Sequence, residues 1–239
     1  MEDGRHTCKY DDIYHTDVTM EDGTVIRTTI TSLAHHVTLF IKEVTRDYEG
    51  HDQQQLIVGI DTEWRRCFHA DGRQFYRTAV LQLCVGYRCL VFQIIHADYI
   101  PFELMYFLAD PDICFVGVGI DGDIKRLDED CNLKIANSKD LRSVAADVLC
   151  RPELQHAGLK RLTLEVMGVN IDKPKHITMS KWFTKPLSRE QVRYACIDAY
   201  VSFEIGRRLL SGESTRHPTT STDVIDTVTR ASSSSSSIS

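Results

Sequence analysis

The sequence predicts an α/β or α+β domain in which helices cover a mixed β-sheet. The first half of the chain contains β-prone runs joined by Asp-Gly turns, which is the pattern of antiparallel hairpins. The second half alternates helical periodicity with short apolar runs, which are typical of strands buried on both faces. Because strands come first and helices then alternate with strands, we expect one mixed sheet with helices packed on its faces.

The N-terminal segment is predicted to form a hairpin and then a helix. Residues 15–20 and 24–31 are β-prone and flank Glu21-Asp22-Gly23, where Asp-Gly favours a tight turn. Ser32 is a candidate cap for the helix that follows. Apolar residues then recur at helical spacing, so that one face carries Leu33, Val37, Phe40, Ile41 and Val44.

The middle of the chain is predicted to be a series of strands. Residues 56–60 form a continuous apolar run, as expected of a buried strand. Residues 65–69 and 74–77 flank a second Asp-Gly turn, at residues 70–73. Residues 79–85 and 89–94 are further strands on either side of Gly86-Tyr87-Arg88. We therefore expect a buried strand followed by an antiparallel meander.

Helices dominate after Pro101. The pattern predicts a buried strand at residues 113–118 and helices at 101–108, 123–130, 141–149 and 158–167. A last helix begins at Ser188-Arg189-Glu190-Gln191, which has the capping-box pattern Ser-x-x-Gln, and extends to about residue 210.

These elements divide the chain into three segments. Residues 1–50 hold the hairpin and first helix, which we expect to pack on the main domain. Residues 51–211 form that domain. Residues 212–239 are rich in serine and threonine and include a run of six serines. Such a composition cannot bury a core, so the tail is predicted to be disordered.

The composition excludes several classes of protein. No apolar run approaches the ~20 residues that a membrane helix needs, and the N-terminus has no apolar core typical of a signal peptide. The eight cysteines are scattered and form no Cys-x-x-Cys pair, which argues against a structural zinc site. We therefore expect reduced thiols in a cytoplasmic protein, with a nuclear location as the alternative.

Charge is distributed unevenly along the chain. The net charge of −6 argues against a broad surface for nucleic acid, because phosphate contacts require lysine and arginine. Residues 134–193 nevertheless hold twelve Lys and Arg against six Asp and Glu. A basic flank beside an acidic site would suit a short polyanion. A solvated helical face is the simpler explanation of this charge taken alone.

Asp61 and Glu63 are the first candidate site residues. They follow the buried run 56–60 two positions apart, so at the end of a strand they point to the same face. Two carboxylates held together beside a buried strand repel each other and lose solvation, and divalent cations would relieve both costs. An isolated Asp-x-Glu pair is most often simply a pair of surface acids.

Three further candidates come from two other segments. Tyr194 and Asp198 are four residues apart in a predicted helix and share a face, a spacing that is usually structural. Asp123 follows a Gly-rich turn at the start of a helix, where the helix dipole alone favours an acid. Its neighbour Asp121 is a competing candidate.

Taken together, the five residues resemble the DEDD exonucleases of the tyrosine subgroup, which includes ribonuclease D and the Werner-type exonucleases. The order and spacing of Asp61, Glu63, Asp123, Tyr194 and Asp198 match that family's three motifs. Residues 78–84 resemble its second strand, and Ser180-Lys181-Trp182 with residues 187–191 resembles the lead-in to its third motif. The resemblance covers residues 56–210. Gly119 matches the Werner branch, since ribonuclease D members often have asparagine there, and Cys196 replaces a usual alanine.

The resemblance implies a ribonuclease H-like exonuclease fold, which is an α/β fold with a mixed central sheet flanked by helices, and 3′-to-5′ hydrolysis of a nucleic-acid end. It implies two Mg²⁺ or Mn²⁺ ions per active site, bridged by Asp61. Glu63 and Asp198 would complete one site and Asp123 would serve the other. Tyr194 would orient the attacking water, which fits its reference pKa of ~10, since such a phenol is a poor base at pH 7.

Two residues beside Glu63 are candidates for substrate binding. Thr62 and Trp64 flank it in sequence and could contact the terminal nucleotide, although Trp64 is also a natural core residue.

A narrower resemblance, to the plant RISC-interacting clearing exoribonucleases, rests on the chain's size and its N-terminal hairpin and helix. It implies short single-stranded RNA as substrate, clearance of RISC cleavage fragments, an Argonaute partner and a homo-hexameric ring. Two alternatives stay open: a Werner-type DNA exonuclease, and a catalytically silent nucleic-acid-binding scaffold. The intact carboxylates count against the scaffold.

Overall fold

The computed structural model describes residues 13–48 and 55–212, and these form seven strands and seven α-helices. The strands are β1 (Ile13–Thr19), β2 (Val25–Thr31), β3 (Leu56–Phe68), β4 (Gln74–Val85), β5 (Arg88–Phe92), β6 (Ile113–Gly117) and β7 (Ser138–Asp140). The helices are α1 (Ala34–Tyr48), α2 (Phe102–Ala109), α3 (Ile120–Cys131), α4 (Leu141–Val148), α5 (Leu159–Met167), α6 (Lys175–Thr178) and α7 (Arg189–Leu210).

All seven strands belong to one mixed sheet with the order β1-β2-β5-β4-β3-β6-β7. The pairs β1–β2, β5–β4 and β4–β3 are antiparallel, whereas β2–β5, β3–β6 and β6–β7 are parallel. Antiparallel pairs come from hairpins, and each parallel pair is joined by a crossover connection that contains a helix or a longer segment. The mixed sheet predicted from the sequence is confirmed.

The N-terminal hairpin is part of this sheet. The turn at Glu21-Asp22-Gly23 is confirmed, and Gly23 has the positive φ of 87° that such turns require. In the described part of this segment β2 pairs with β5 in parallel, so the hairpin extends the sheet of the main domain. Helix α1 is also confirmed, but Asp98 accepts the Ala34 N–H at 2.8 Å while the predicted cap Ser32 accepts from Lys185 Nζ.

Two long strands replace the shorter strands predicted for the middle of the chain. The ladder between β3 and β4 runs from Gly59–Cys84 to Phe68–Gln74, with a register shift at Glu63/Trp64. The predicted hairpin around residues 70–73 is therefore the outer end of the same two strands. A bulge of this kind disrupts the ladder locally without ending it, which is why the sequence suggested separate strands.

Helices cover both faces of the sheet, as predicted. Helices α1, α2 and α3 bury Val37, Leu104 and Leu127 against one face. Helices α4, α5 and α7 bury Leu141, Leu162 and Val201 against the other face. Strand side chains alternate between the two layers, so that Leu81 and Leu83 of β4 enter one core and Val80 and Cys84 enter the other.

Helix α7 lies unusually close to the sheet. A Cβ added at Gly59 of β3 would lie 2.1 Å from the carbonyl oxygen of Ala199, so only glycine permits this approach. The predicted capping box begins the helix: the Gln191 N–H donates to Ser188 Oγ at 3.1 Å, and the Ser188 N–H donates to Gln191 Oε1 at 2.9 Å.

The remaining predicted elements are also present. The five helices predicted after Pro101 correspond to α2, α3, α4, α5 and α7, and the strand predicted at 113–118 is β6. The sequence did not indicate β7 or α6, which are three and four residues long. The predicted disordered tail lies outside the described residues, apart from its first residue. None of the helices in the described part of the chain is long and apolar enough to cross a membrane.

Candidate active site

Asp61 and Glu63 project from β3 towards α7. They were predicted at the end of a strand, but β3 continues past them to Phe68 because residues beyond Glu63 pair with β4. The two-residue spacing still places both carboxylates on one face. The register shift falls directly after Glu63, and bulges are common beside active sites because they re-aim side chains.

Helix α7 brings the third carboxylate to the same place. The close approach of α7 to Gly59 positions Asp198 over β3, and carboxylate oxygens of Asp61, Glu63 and Asp198 lie within 4.8 Å of one another. Glu63 and Asp198 are buried, whereas Asp61 keeps some contact with solvent. We call these three carboxylates the acidic cluster, and Asp61 is the member through which it meets solvent.

Asp123 stands beside the acidic cluster rather than within it. It lies in the first turn of α3, and its Oδ1 accepts a 2.5 Å hydrogen bond from Thr62 Oγ1. Gly119 precedes this turn with φ of +72°, a left-handed conformation that glycine adopts freely and asparagine tolerates. The competing candidate Asp121 is exposed on the same helix. The structure therefore brings Asp123, and not Asp121, to the site.

Burial and mutual repulsion hold protons on these acids. Burial, followed by the Asp198 carboxylate, raises the pKa of Asp61 to about 7. Burial, followed by Asp61 and Asp198, raises the pKa of Glu63 to about 10. Burial and then Asp61 raise the pKa of Asp123 to about 7. A nearby cation would strongly stabilise the ionised form of these acids. Buried carboxylates that need such a cation are typical of a metal site.

Lys173 is a site residue that the sequence reasoning missed. Its Nζ lies 2.6 Å from Asp198 Oδ2 and 5.0 Å from the centroid of the Tyr194 ring. Burial alone would lower the pKa of Lys173, but attraction by Asp198 and Asp61 outweighs it and the pKa is raised. The residue lies in the loop between α5 and α6, where no periodicity points to it. The only signal was its membership of the basic segment 134–193.

Tyr194 lies one helical turn from Asp198, as its spacing predicted. Its ring is buried against Trp182, with centroids 5.9 Å apart. Thr178 Oγ1 donates to the Tyr194 hydroxyl at 3.2 Å, and this hydroxyl in turn hydrogen-bonds the Asp198 carboxylate. Burial, followed by the Asp198 charge, raises the pKa of Tyr194 to about 12. Tyr194 is thus a hydrogen-bond donor and not a base near neutral pH.

The two candidate substrate-binding residues have different environments. The Thr62 side chain is buried, and its hydroxyl is engaged by Asp123. Trp64 is half-buried outside both cores, where it meets Tyr76 edge-on at 4.6 Å and has the Arg126 guanidinium 5.6 Å from its centroid. Contact of Thr62 and Trp64 with a substrate stays a prediction. Arg126 was not identified from the sequence.

The acidic cluster is suited to a divalent metal. Its ligands are carboxylate oxygens, which hard cations such as Mg²⁺, Mn²⁺ and Ca²⁺ prefer. Burial and the neighbouring carboxylates raise the pKa values of Asp61 and Glu63, and a bound cation would offset both effects, as the ammonium of Lys173 does in part. Asp61, Glu63 and Asp198 would hold the metal, with Asp123 beside them. The catalytic roles of these residues and of Tyr194 stay predictions.

Known proteins with similar sequences are exonucleases. The 3′-5′ exonuclease family matches residues 39–211 of this chain. A 3′-5′ exonuclease of Arabidopsis thaliana is 34% identical over 149 residues, which is 62% of this chain and 50% of that protein. The mouse bifunctional 3′-5′ exonuclease/ATP-dependent helicase WRN is 34% identical over 154 residues, which is 64% of this chain and 11% of that protein. The chain thus spans at most half the length of these relatives.

Solved structures agree on the fold. Escherichia coli RNase D superposes with a TM-score of 0.61 at 19% identity, over 76% of this chain and 44% of that one. The catalytic core of RRP6 from Trypanosoma brucei superposes with a TM-score of 0.63 at 16% identity, over 82% of this chain and 49% of that one. Identities this low bear on the fold alone. The ribonuclease H-like α/β fold implied by the sequence motifs is confirmed.

Proposed function

Because the chain belongs to the 3′-5′ exonuclease family, and to its DEDD type, we propose that it is a metal-dependent exoribonuclease. It would remove nucleotides from the 3′ end of short single-stranded RNA and release nucleoside monophosphates. The observation that carries the catalytic part of this proposal is the acidic cluster, in which three carboxylates from two elements lie within 4.8 Å of one another. In a scaffold that only bound nucleic acid, three buried carboxylates that repel one another would cost stability and serve no purpose.

The side chains support a hydrolytic mechanism with divided roles. Asp61, Glu63, Asp198 and Asp123 would hold two Mg²⁺ or Mn²⁺ ions, which polarise the phosphate and acidify the attacking water. Thr62 fixes the orientation of Asp123 through its 2.5 Å hydrogen bond. Water attacks phosphorus, the bond to the 3′ oxygen of the preceding nucleotide breaks, and a nucleoside 5′-monophosphate and a new 3′-hydroxyl are formed.

Tyr194 would orient the attacking water. Thr178 donates to its hydroxyl and Asp198 accepts from it, so the phenolic proton lies at the acidic cluster, where it would hydrogen-bond the attacking water. The pKa of about 12 keeps that proton on Tyr194 throughout the neutral range. Removal of the water's own proton therefore needs another base, and a carboxylate of the acidic cluster is our candidate.

RNA as the substrate rests on the sequence resemblance to the plant RISC-interacting clearing exoribonucleases. From the same resemblance we propose clearance of RISC cleavage fragments in the cytoplasm, an Argonaute partner and a homo-hexameric assembly. The chain is acidic and its positive charge is confined to local segments. This charge distribution favours a short single strand as substrate over a long duplex, because duplex binding requires many phosphate contacts.

A DNA exonuclease is the second candidate. The specific observation in its favour is the 34% identity to mouse WRN over 154 residues. The acidic cluster serves either polymer, because both present the same phosphodiester to the metal ligands. Discrimination between RNA and DNA depends on contacts to the 2′-hydroxyl, so the preference must be tested directly.

The test is a time course on a 5′-labelled 20-nucleotide RNA and on its DNA counterpart, each with Mg²⁺ or EDTA. A ladder that shortens from the 3′ end only with Mg²⁺, and faster on RNA, is the expected result. A ladder on DNA alone would replace the RNA assignment with the second candidate. The Asp198→Ala variant is the control and is expected to give no ladder while keeping its far-UV circular dichroism. Full activity in this variant would refute the site.

A further inference from the structure

The outer end of the β3–β4 hairpin is a positively charged, aromatic surface that no step of the proposed mechanism uses. We call residues 64–77 the arm: it begins at the register shift after Glu63 and ends before Thr78. We infer that the arm binds single-stranded nucleic acid upstream of the 3′ end that occupies the acidic cluster. This inference rests on the proposed function for the position of the 3′ end, but its binding test does not depend on hydrolysis.

The arm carries a local excess of positive charge. It holds four arginines and one aspartate, in a chain whose net charge is −6. Arg73 pairs with Asp71 at 2.6 Å, so that part of this charge is neutralised. Arg65, Arg66 and Arg77 are exposed and form no ion pair with any residue of the described ranges. Exposed arginines without an acidic partner are suited to phosphate groups.

The basic segment predicted from the sequence is a weaker candidate for the same role. Part of its positive charge is already matched: Arg142 pairs with Asp140 at 2.6 Å, and Arg151 pairs with Glu165 at 2.5 Å. Lys173 is engaged by the acidic cluster. Neighbouring acids therefore reduce the free positive charge of residues 134–193, whereas in the arm only Arg73 is paired in this way.

Aromatic rings alternate with these arginines. Phe68 is 64% exposed and Tyr76 is 38% exposed, although large apolar rings gain free energy from burial. The rings of His69 and Phe75 lie 4.3 Å apart, and those of Trp64 and Tyr76 lie 4.6 Å apart. Aromatic rings that alternate with cations are the composition of surfaces on which single-stranded bases stack, at about 1–3 kcal/mol for each base.

The register of the hairpin arranges these groups on two faces. Trp64, Arg66 and Phe68 alternate along β3 and share a face with Tyr76, which pairs with Arg66. Arg65 and its partner Arg77 occupy the opposite face, where the Arg65 guanidinium lies 4.6 Å from the centroid of the Phe183 ring. One face therefore combines rings with an arginine, and the other presents two arginines side by side.

The position of the arm fits a strand that leads into the acidic cluster. Phe68 lies five residues beyond Glu63 on the same strand, a distance of about 17 Å at ~3.3 Å per residue. A stacked strand covers that distance in roughly five nucleotides at ~3.4 Å each. A mononucleotide or dinucleotide at the cluster would be too short to reach the outer arm, whereas a 20-nucleotide strand would contact its full length.

The test compares two variants of the full chain that remove the same charge. The arm variant is Arg66→Gln/Phe68→Ser/Arg77→Gln, and the control is Lys42→Gln/Arg46→Gln on α1, where both residues are exposed. Binding of a 5′-fluorescein 20-nucleotide RNA is measured by anisotropy in EDTA at several salt concentrations. We expect the arm variant to bind at least tenfold more weakly. At ~0.7 for each lost phosphate contact, its log–log salt slope should fall by about 0.7 for a strand that lies along one face and by about 1.4 for a strand that contacts both faces. The control should bind within twofold of the parent.

A second variant tests whether the loss of RNA affinity comes from lost charge or from a disturbed fold. Arg66→Lys/Arg77→Lys retains both charges and is expected to keep most of the affinity, since phosphate contact depends first on charge. Equal affinity of the parent and the arm variant would overturn the inference. So would loss of self-association by light scattering, without loss of RNA affinity, because the arm would then be an interface between copies of the chain.

Hydrolysis of a dinucleotide with Mg²⁺ tests the proposed function apart from the arm. The arm variant should hydrolyse the dinucleotide at the parental rate, while its kcat/KM on the 20-nucleotide RNA falls at least fivefold. Failure of the parent to hydrolyse either substrate would reject the proposed function, and the anisotropy result would still decide the role of the arm.

Discussion

Replacing Lys173 with methionine is expected to destabilise the metal-free protein and to increase the dependence of its stability on divalent cations. The Lys173 ammonium lies 2.6 Å from Asp198, which is 2% exposed. Methionine retains most of the side chain's length and its packing on Tyr194 but carries no charge. The Asp198 carboxylate would then lie beside Asp61 and Glu63 without its counter-charge.

The size of the effect follows from the burial of the ion pair. Removing one partner of a fully buried pair costs about 3–5 kcal/mol of folding free energy. Lys173 keeps 29% of its side-chain surface exposed, and Asp198 can take up a proton, so we expect a loss of about 2–3 kcal/mol in EDTA. In a chain of this size each kcal/mol corresponds to about 2–4 °C in Tm, and the expected fall is roughly 5–10 °C.

Urea and thermal unfolding of parent and variant, with EDTA or with saturating Mg²⁺, measure this effect. A metal that binds only the folded state adds about 2.7 kcal/mol when its concentration is 100-fold above Kd. It also supplies the charge that Lys173 no longer provides, so the difference between the two proteins should shrink with Mg²⁺. Titration calorimetry should show tighter metal binding by the variant, because the ammonium no longer competes for Asp198.

Lys160→Met provides the matched control. Lys160 pairs with Asp172 at 3.8 Å, and these side chains are 51% and 89% exposed. Its loss should change the free energy of unfolding by less than about 0.5 kcal/mol under either condition. If Lys173→Met loses no stability in EDTA, or loses the same amount with Mg²⁺, Lys173 is not the counter-charge of the acidic cluster.

The remaining predictions concern the same region. Tyr194→Phe should slow the RNA ladder by about tenfold, or ~1.4 kcal/mol; a loss as complete as that of Asp198→Ala would contradict a water-orienting role. Gly59→Ala should cost about 3 kcal/mol in urea unfolding, because its Cβ would lie 2.1 Å from the Ala199 oxygen, and parental stability would contradict this close approach. The last prediction concerns pH in the presence of EDTA. The pKa is raised to about 7 for Asp61 and to about 10 for Glu63, so the folded protein holds protons that the unfolded chain has released. Stability from these two acids is greatest below pH 4 and is lost as the pH rises through 7 and towards 10, so the free energy of unfolding should fall between pH 5.5 and 8; a rise attributable to the cluster would show that its acids are not buried together.

The sequence was most informative where local chemistry decides the structure. Gly23 and Gly72 have φ of +87° and +82° in the two Asp-Gly turns, so each hairpin was predictable from two adjacent residues. The capping box at Ser188 was predictable for the same reason, since its hydrogen bonds lie within four residues. The continuity of β3 and β4 was not, because it depends on pairing across a bulge between residues far apart in sequence.

The candidate site likewise contains some residues that local spacing predicts and others that depend on contacts distant in sequence. The spacing of Asp61 and Glu63 on a strand, and of Tyr194 and Asp198 on a helix, fixed which faces these side chains occupy. The choice between Asp121 and Asp123 was open in the sequence, because it depends on where α3 begins after Gly119 and on the Thr62 hydroxyl. Lys173 could not be predicted as a site residue. It lies in an irregular loop, where no periodic pattern assigns it to a face, and its partner Asp198 is 25 residues away.

The acidic cluster and the arm together suggest how an acidic chain can engage a polyanion. The cluster is poor in positive charge and holds protons until a cation compensates it, so it cannot attract a phosphate by itself. The arm continues the same strand beyond Glu63 and supplies unpaired arginines and exposed rings. Attraction and chemistry would thus be separated along β3, with the arm holding the strand and the cluster acting on its end. Weakening the arm should therefore raise KM for long substrates, whereas weakening the cluster should lower kcat for substrates of any length.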